Sequence, residues 1–558
     1  MSERNTPTWW GSQIERALKW RKDNSREDRW NDMKKYYEHR FADPTQPKFN
    51  LIYMLASTLV PSLMYQTPQI TNTARRPEFQ YWASFFDGLD NWALDEIEMK
   101  DTLNSAIIHA FLYNTVGFQL GFDFPDNNMP VDQGMFPRLA GSVDRARRYN
   151  MPWVDLLQPD KFIVAAGTKT MRNCRWFAKE LTLPKYIMED MGGFINLTPT
   201  GIPKELRASG MNNWLDLVAD DEYITYYEVH DAETKETFCI DINNHVIMEP
   251  QDDPLQVDGL PLRTLIFNKS PDSIWGTPDS IYIETQMLEG NECRKIGRLQ
   301  RKMATLKALV DKDVVTKETI EKLLTDDPIA ILPVDLAEKK ISDVIAFLQP
   351  HIQGEYFEYE KQLLNDAQLL TGTGPNQFGT FAPGRRTKFE AQTVQDQSLL
   401  RTGARRQLLA DVVTGLVSMM NMLFIKNWKA DVIAKVIGVE GATYWVSASP
   451  EEFKDVAEQL VTKVNVESMA PISRERRKEE LSNMLMLLSK VQGFDIMPLV
   501  KTLLSQYEWS GLTQALPQAQ QTAPMPMQDF QQQQQQMQAS PKLGGMLQQN
   551  LGSLQTIQ

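Results

Sequence analysis

Cysteine is nearly absent from this chain: Cys174, Cys239 and Cys293 are the only three in 558 residues. They are odd in number, far apart and without a CxxC pair, which excludes a disulfide framework and a zinc knuckle and makes a reducing cytoplasm the expected place of synthesis. Histidine is scarce as well. His39, His109, His230, His245 and His351 fall in separate predicted elements with no HxH or HxxxH spacing, so no metal centre is expected. There is no GxSxG nucleophile elbow and no HExxH pair. Positive charge is in deficit. Lys+Arg number 59 against 72 Asp+Glu, a net charge of −13, which excludes a surface that grips nucleic acid or anionic lipid by bulk charge. Long apolar runs are missing too. The longest uncharged apolar stretch, Leu51 to Tyr65, contains Pro61 and is about four or five residues short of a membrane span, so it reads as a buried core element and no membrane is expected. The opening MSERNTPTWWGSQIERALKW does not have the basic-then-apolar order of a secretory leader.

What is present describes a folded chain, 42% hydrophobic and 23% charged, too long for one ordinary core and expected to form two to four domains or one elongated subunit. Trp9, Trp10, Ile14, Leu18, Trp30, Met33 and Tyr37 recur at helical spacing over residues 9–40, and Pro77 precedes a long helical pattern through Phe79, Trp82, Phe86, Leu89, Leu103, Ile107 and Phe111. From Gly117 to about residue 270 the texture is strand-like, with β-branched and aromatic runs bounded by Gly, Pro, Asn and Asp. A helical insertion is expected between Pro184 and Val218, and a hairpin over Glu228–Val246 with its turn at Asp231–Lys235. Thr277-Pro278-Asp279-Ser280 is a helix start: a hydroxyl N-cap, Pro at the first position and an acid in the first turn. That helix carries Leu288, Ile296, Leu299, Met303, Leu306 and Val310, with Arg294, Lys295, Arg298, Arg301 and Lys302 on its remaining surface. A mixed segment follows, with a helical TKETIEKLL and a strand-like AILPV, and then a second amphipathic helix with Tyr356, Tyr359, Leu363, Leu364 and Leu370.

TGTGPNQFGTFAPGRR, residues 371–386, has four Gly and two Pro in sixteen positions and cannot continue a helix. Thr387 to Glu390 then forms a capping box that launches a helical run to Trp428, about 60 Å long at 1.5 Å per residue. More helix is expected over 450–508. From Leu512 sixteen Gln fall in forty-seven residues, with Asp529 and Lys542 the only charges, a low-complexity tail. The fold class is therefore α+β, predominantly α.

One segment has the spacing of a phosphate-cradling loop, Gly374 to Gly379. Thr380-Phe381 stands where such a loop needs Lys and then Ser or Thr, and an amphipathic helix rather than a strand precedes it, so a nucleotide-binding enzyme is the weaker alternative. Acidic pairs at Asp220-Asp221 and Asp326-Asp327 read as solvated turns. Arg385, Arg386 and Lys388 are closely placed cations able to touch phosphates without reading bases.

The order of these parts over roughly residues 50–430 resembles the portal proteins, the head-to-tail connectors of tailed bacteriophages, of the short-tailed type especially. The resemblance rests on NLIYMLASTLVPSLMYQTPQI, a long helix running into NTVGFQLGFDF, WVDLLQPDKFIVAAG, and GLPLRTLIFNKSPDSIWGTPDSIYIETQMLEGNECRKIGRLQRK. It implies a wing over 1–277 (helical to about 116, β-rich over about 117–277), a first stem helix at 278–308, a clip at 309–349 and a second stem helix at 350–370. It further implies a tunnel loop at 371–386, a long wing helix at 387–428 and a C-terminal wing or crown at 429–511, followed by the Gln-rich tail at 512–558. By the same resemblance the subunits form a ring, typically a dodecamer, at one capsid vertex of the virion, after assembly in the host cytoplasm. The ring conducts double-stranded DNA during genome packaging and ejection and contacts the major capsid protein, the terminase large subunit, tail adaptor or head-completion proteins and a scaffold protein. No catalytic activity and no cofactor are implied. Gln377, Arg385, Arg386 and Lys388 would touch DNA, and Arg294, Lys295, Arg298, Arg301 and Lys302 would form a basic stem face. Another virion structural protein, such as a tail adaptor, remains the alternative within the same class.

Overall fold

A computed structural model describes residues 6–41, 48–122, 151–201, 222–303, 307–310, 345–348, 355–372, 388–429 and 459–469, together with isolated positions 317, 433, 445, 456, 482 and 486. Of these, 53% are helical and 22% lie in strands, a mixed α+β composition. The chain divides into two compact units, one of residues 1–76 and 82–471 and one of residues 77–81 and 472–558. In the second unit the described stretch is Pro77–Tyr81, which begins as the 3-10 turn Pro77–Phe79.

The first unit opens with α1 (Pro7–Ser25) and α2 (Glu27–Tyr37), separated at Arg26, whose φ of 56° breaks the helix. Thr6 caps α1 through its side chain, which accepts from the Trp9 amide, and Pro7 takes the first turn, where its missing N–H costs nothing. Arg21 pins this pair to the sheet region. It is buried, donates from Nη1 to the carbonyls of Pro159, Asp160 and Phe162 at 2.9, 3.1 and 3.0 Å, and pairs with Glu27 at 3.1 Å. Next come α3 (Leu51–Leu63), capped by the Asn50 side chain, and β1 (Gln69–Ala74). The apolar run at Leu51–Tyr65 is the buried element expected: Leu51, Ile52, Leu55, Ala56, Leu59 and Leu63 face inward, and Pro61 ends the helix within one turn.

The helical pattern read as continuous from Phe79 to Phe111 is two helices, α4 (Gln80–Glu96) and α5 (Met99–Tyr113), broken at Glu98 with φ 53°. Both halves keep apolar faces in the core, so periodicity does not register the break. A three-stranded antiparallel sheet follows, in the order β3 (Pro152–Leu157), β2 (Thr115–Phe122), β9 (Leu262–Ile266). A five-stranded antiparallel sheet runs β4 (Phe162–Val164), β5 (Trp176–Pro184), β6 (Tyr223–Asp231), β7 (Glu236–Asp241), β8 (Val246–Asp252). The hairpin expected over 228–246 is β6–β7, with Asp231 opposite Glu236. In the expected insertion after Pro184, the described helix is α6 (Lys185–Met191).

Two further helices are joined through a ribbon. α7 (Asp279–Met303) leads to β10 (Lys307–Val310), which pairs antiparallel with β11 (Ile345–Leu348), and α8 (Glu355–Thr371) returns. The first helix was expected to reach 308; instead Lys307 and Ala308 are already in the ribbon, paired with Leu348 and Phe347. α9 (Lys388–Asn427) is one unbroken helix of 40 residues. Its span Arg401–Asn427 is apolar and long enough to cross a membrane, yet 61% of that window is buried, against β9, α3 and the last strand. That strand, β12 (Leu460–Asn465), departs from the expectation of more helix over 450–508. LVTKVN pairs antiparallel with β1, and the tertiary partner overrides a helix-compatible sequence.

Candidate functional site

The base of α7 is fixed by a polar knot assembled from sequence blocks that are far apart. Asn114, at the turn from α5 into β2, receives the Asn268 amide on Oδ1 at 2.8 Å and donates Nδ2 to the Asn268 carbonyl at 3.0 Å. Asn268 in turn donates Nδ2 to the Thr277 carbonyl at 3.1 Å and to Asp279 Oδ1 at 2.9 Å. Arg405 of α9 pairs with Asp279 Oδ2 at 2.6 Å while lying 4.9 Å from the Phe267 ring centre. Asp279 thus sits in the first turn of α7, where a carboxylate suits the helix dipole, with the half-buried Arg405 cation opposite. Gly276 is required here by close approach: a Cβ would lie 2.4 Å from the Asn268 carbonyl oxygen and 2.5 Å from Asn114 Nδ2. Thr115 and Ser280 complete the knot, donating their hydroxyls to the carbonyls of Ile274 (2.9 Å) and Leu112 (3.0 Å).

Farther along α7, Glu284 pairs with Arg29, Asn291 accepts the Phe49 amide at 2.6 Å, and Arg294 lies 4.8 Å from the Phe49 ring centre. α8 packs along α7, and Ile283, Met287 and Cys293 of α7 and Leu363 and Ala367 of α8 are buried. Arg294 Nε donates to Glu360 Oε1 at 2.9 Å, an ion pair between the two helices. The proposed basic face is therefore not uniform. Arg294 is engaged with Glu360 and Phe49, Lys295 shares a face with Leu288 and Leu299 at spacings of seven and four residues, Arg298 is half-buried, and Arg301 is exposed. The Lys302 side chain lies outside the described residues.

Large apolar side chains also lie on the outside of this pair. Tyr282, Leu288 and Leu299 on α7 and Tyr359, Leu369 and Leu370 on α8 are each at least 42% exposed, with Leu369 at 68%. They are half of the twelve large hydrophobics that stand exposed among the described residues. Single exposed leucines are ordinary, whereas here six exposed large apolar side chains fall on two adjacent helices.

The loop after α8 begins from a defined anchor. Gly372 takes φ +71° past the last turn, and Arg401 of α9 donates to the carbonyls of Leu369 and Leu370 at 3.4 and 3.0 Å, a cation on the orphan carbonyls of a helix end. Arg401 is thirteen residues into α9, so the helix extends about 20 Å on the loop side of this contact. Gln377, Arg385 and Arg386, with the Gly374–Gly379 segment, lie outside the described residues. Lys388 is the first residue of α9 and its side chain is outside them too.

The titratable groups elsewhere are engaged structurally. Buried His230 contacts buried Glu228 at 3.1 Å and Thr237 at 3.2 Å and stacks on Phe177, while His230 and Lys179 hold the Glu228 carboxyl below its usual range despite the opposing cost of burial. Burial drives His109 down to about 4 and leaves it neutral. A cleft of about 550 Å³ beside β3 and β5 is lined by Asp155, Lys161, Lys179 and Glu180, with each lysine matched to a carboxylate, Lys179 to Asp155 at 3.6 Å and Lys161 to Glu180 at 3.5 Å. All three cysteines are buried free thiols, and no group of three His, Cys, Asp or Glu able to hold a metal occurs among the described residues.

Two features escaped sequence reasoning. The Arg401 anchor joins residues 31 and 32 apart across a loop and leaves no local signal. The second is a buried carboxyl, Asp90, on the face of α4 that carries Phe86, Ala93 and Leu94; a charge inside an apolar stripe was a legible sign. No family model matches the chain, and no curated protein matches it.

Proposed function

We propose that the chain is a portal-type subunit: a non-catalytic virion protein that forms a ring around a DNA channel, with α7 and α8 as its stem, the β10–β11 ribbon at the root of its clip and α9 as the long wing helix. The observation that carries the reading is the α7–α8 pair. It is anchored at one end by a dense polar knot, continues at the other into a two-stranded ribbon, and bears six exposed large apolar side chains on its outside. In a ring those side chains are covered by neighbouring copies through a repeated head-to-tail contact, in which one patch of each copy meets a different patch of the next. The net charge of −13 per chain, multiplied around a ring, suits a conduit through which DNA slides, and Arg385, Arg386, Lys388 and Gln377 in and after the loop are the transient phosphate contacts. Capsid protein, terminase, adaptor and scaffold are its partners in this reading.

Electron micrographs of purified assemblies test it. The expected particle is a ring of about a dozen copies with a central channel, a broad wing and a narrow stem. A protein that stays a 64.0 kDa monomer at every salt concentration, or one that assembles without a channel, sinks the proposal.

A further inference from the structure

Asp90 is the least ordinary ionisable group of the first unit. It is 1% exposed and lies where α4, β1, β12 and α9 meet. Its Oδ2 accepts from Asn72 Nδ2 at 2.8 Å and from Asn421 Nδ2 at 3.2 Å. Asn72 is tied onward, its Oδ1 accepting from the Thr462 hydroxyl at 2.6 Å and its backbone amide donating to Asp87. Two oxygens in this cluster have no partner among the described residues: Asp90 Oδ1 and Asn421 Oδ1. Both are buried, and they belong to side chains already joined by another hydrogen bond. An ionised carboxylate offers only acceptors, so it would leave both oxygens unsatisfied at a cost of about 1–3 kcal/mol each. A carboxylic acid solves both at once, because an amide and an acid can form a two-bond ring in which each donates to the other.

We infer that Asp90 carries a proton in the folded protein, donated from Oδ1 to Oδ1 of Asn421, and that this proton is a clasp holding α9 to α4 and to the β1–β12 pair. The surroundings are built for a neutral acid. β1 presents Asn72, β12 presents Thr462 and α9 presents Asn421, all uncharged. Asp87, one turn back on α4, is the charged group among the described residues that acts on it, and its negative charge favours the proton further. Burial raises Asp90 from 3.8 to about 7, against the opposing pull of the two amides. The folded form therefore binds the proton more tightly than the opened form does, so the clasp is fully closed below about pH 4, weakens as pH rises and is released through about pH 7.

Hydrogen exchange of the full chain, wild type and Asp90→Asn, followed by mass spectrometry from pH 5.5 to 8.5 and corrected for intrinsic exchange rate, tests this. An Asn at position 90 keeps a permanent donor toward Asn421. In wild type the opening equilibrium of peptides over 69–74 and 409–424 should grow about tenfold per pH unit up to about pH 7 and then level off. In Asp90→Asn it should be independent of pH and at least about tenfold smaller at pH 8. Parallel pH profiles in the two proteins overturn the inference, as does more opening in Asp90→Asn than in wild type at pH 8. A pH response of the β6 peptide 223–231 equal to that of 409–424 also overturns it, because the clasp is local. Should Asp90→Asn fail to fold, the wild-type profile decides alone: opening over 409–424 that grows about tenfold per pH unit and levels off near pH 7 bears the inference out, and opening independent of pH between about 5.5 and 7 overturns it.

Discussion

On the proposed portal reading, replacing Leu369 and Leu370 together by Gln should abolish ring assembly without unfolding the subunit. The two side chains are 68% and 49% exposed on α8. Burying a whole leucine side chain contributes about 1.5–3 kcal/mol, so covering these two stabilises each contact between copies by about 2–3 kcal/mol. Glutamine removes that contribution and adds amides to be desolvated, which brings the loss to about 3 kcal/mol or more per interface. That is roughly a hundredfold or more in each pairwise association constant, repeated around the ring. The monomer should lose little, about 0.5 kcal/mol, because Leu369 is mostly and Leu370 half exposed there. Leu363→Gln is the internal contrast. Leu363 is 7% exposed on α8, so its replacement should lower subunit stability by about 2–5 kcal/mol. Sedimentation velocity at matched concentration reads assembly, and denaturant unfolding reads the subunit. The reasoning fails if Leu369→Gln/Leu370→Gln assembles like wild type, or if the double variant loses as much stability as Leu363→Gln.

Two other variants separate the structural from the functional roles. Gly276→Ala drives a Cβ into the Asn268 carbonyl, so we expect a loss of about 1–3 kcal/mol in denaturant unfolding; an unchanged midpoint would mean that the knot at the base of α7 yields easily. Arg385→Ala with Arg386→Ala should leave assembly and melting intact while reducing packaged DNA, and virions with full DNA content would remove these residues from the channel reading.

Much of the architecture was legible because it is local. The helical spacing of α1 and α2, the buried apolar run of α3, the β6–β7 hairpin and the uninterrupted run of α9 each follow from a period, a composition or a turn within a short stretch. The misreadings share the opposite cause. At Glu98 an apolar pattern crosses a positive-φ break without a change of period, and at 460–465 a sequence compatible with helix becomes strand because β1 supplies a partner almost 400 residues away. The Arg294–Lys302 series was visible as charge, but which of its members faces Glu360 depended on where α8 packs.

Composition and spacing alone determined that the chain lacks a disulfide framework, a recognisable nucleophile motif and a phosphate-loop lysine, and that two amphipathic helices bracket a short module ahead of a Gly-rich basic loop. Only the tertiary structure decided what holds that pair, because its anchors are contacts between residues remote in sequence: Asn114 with Asn268, Arg405 with Asp279, Arg401 with the end of α8. It also decided the character of Asp90. An aspartate in a sequence is a charge by default, and it becomes an acid when four elements close over it, exclude water and offer one oxygen two amide donors and the other none.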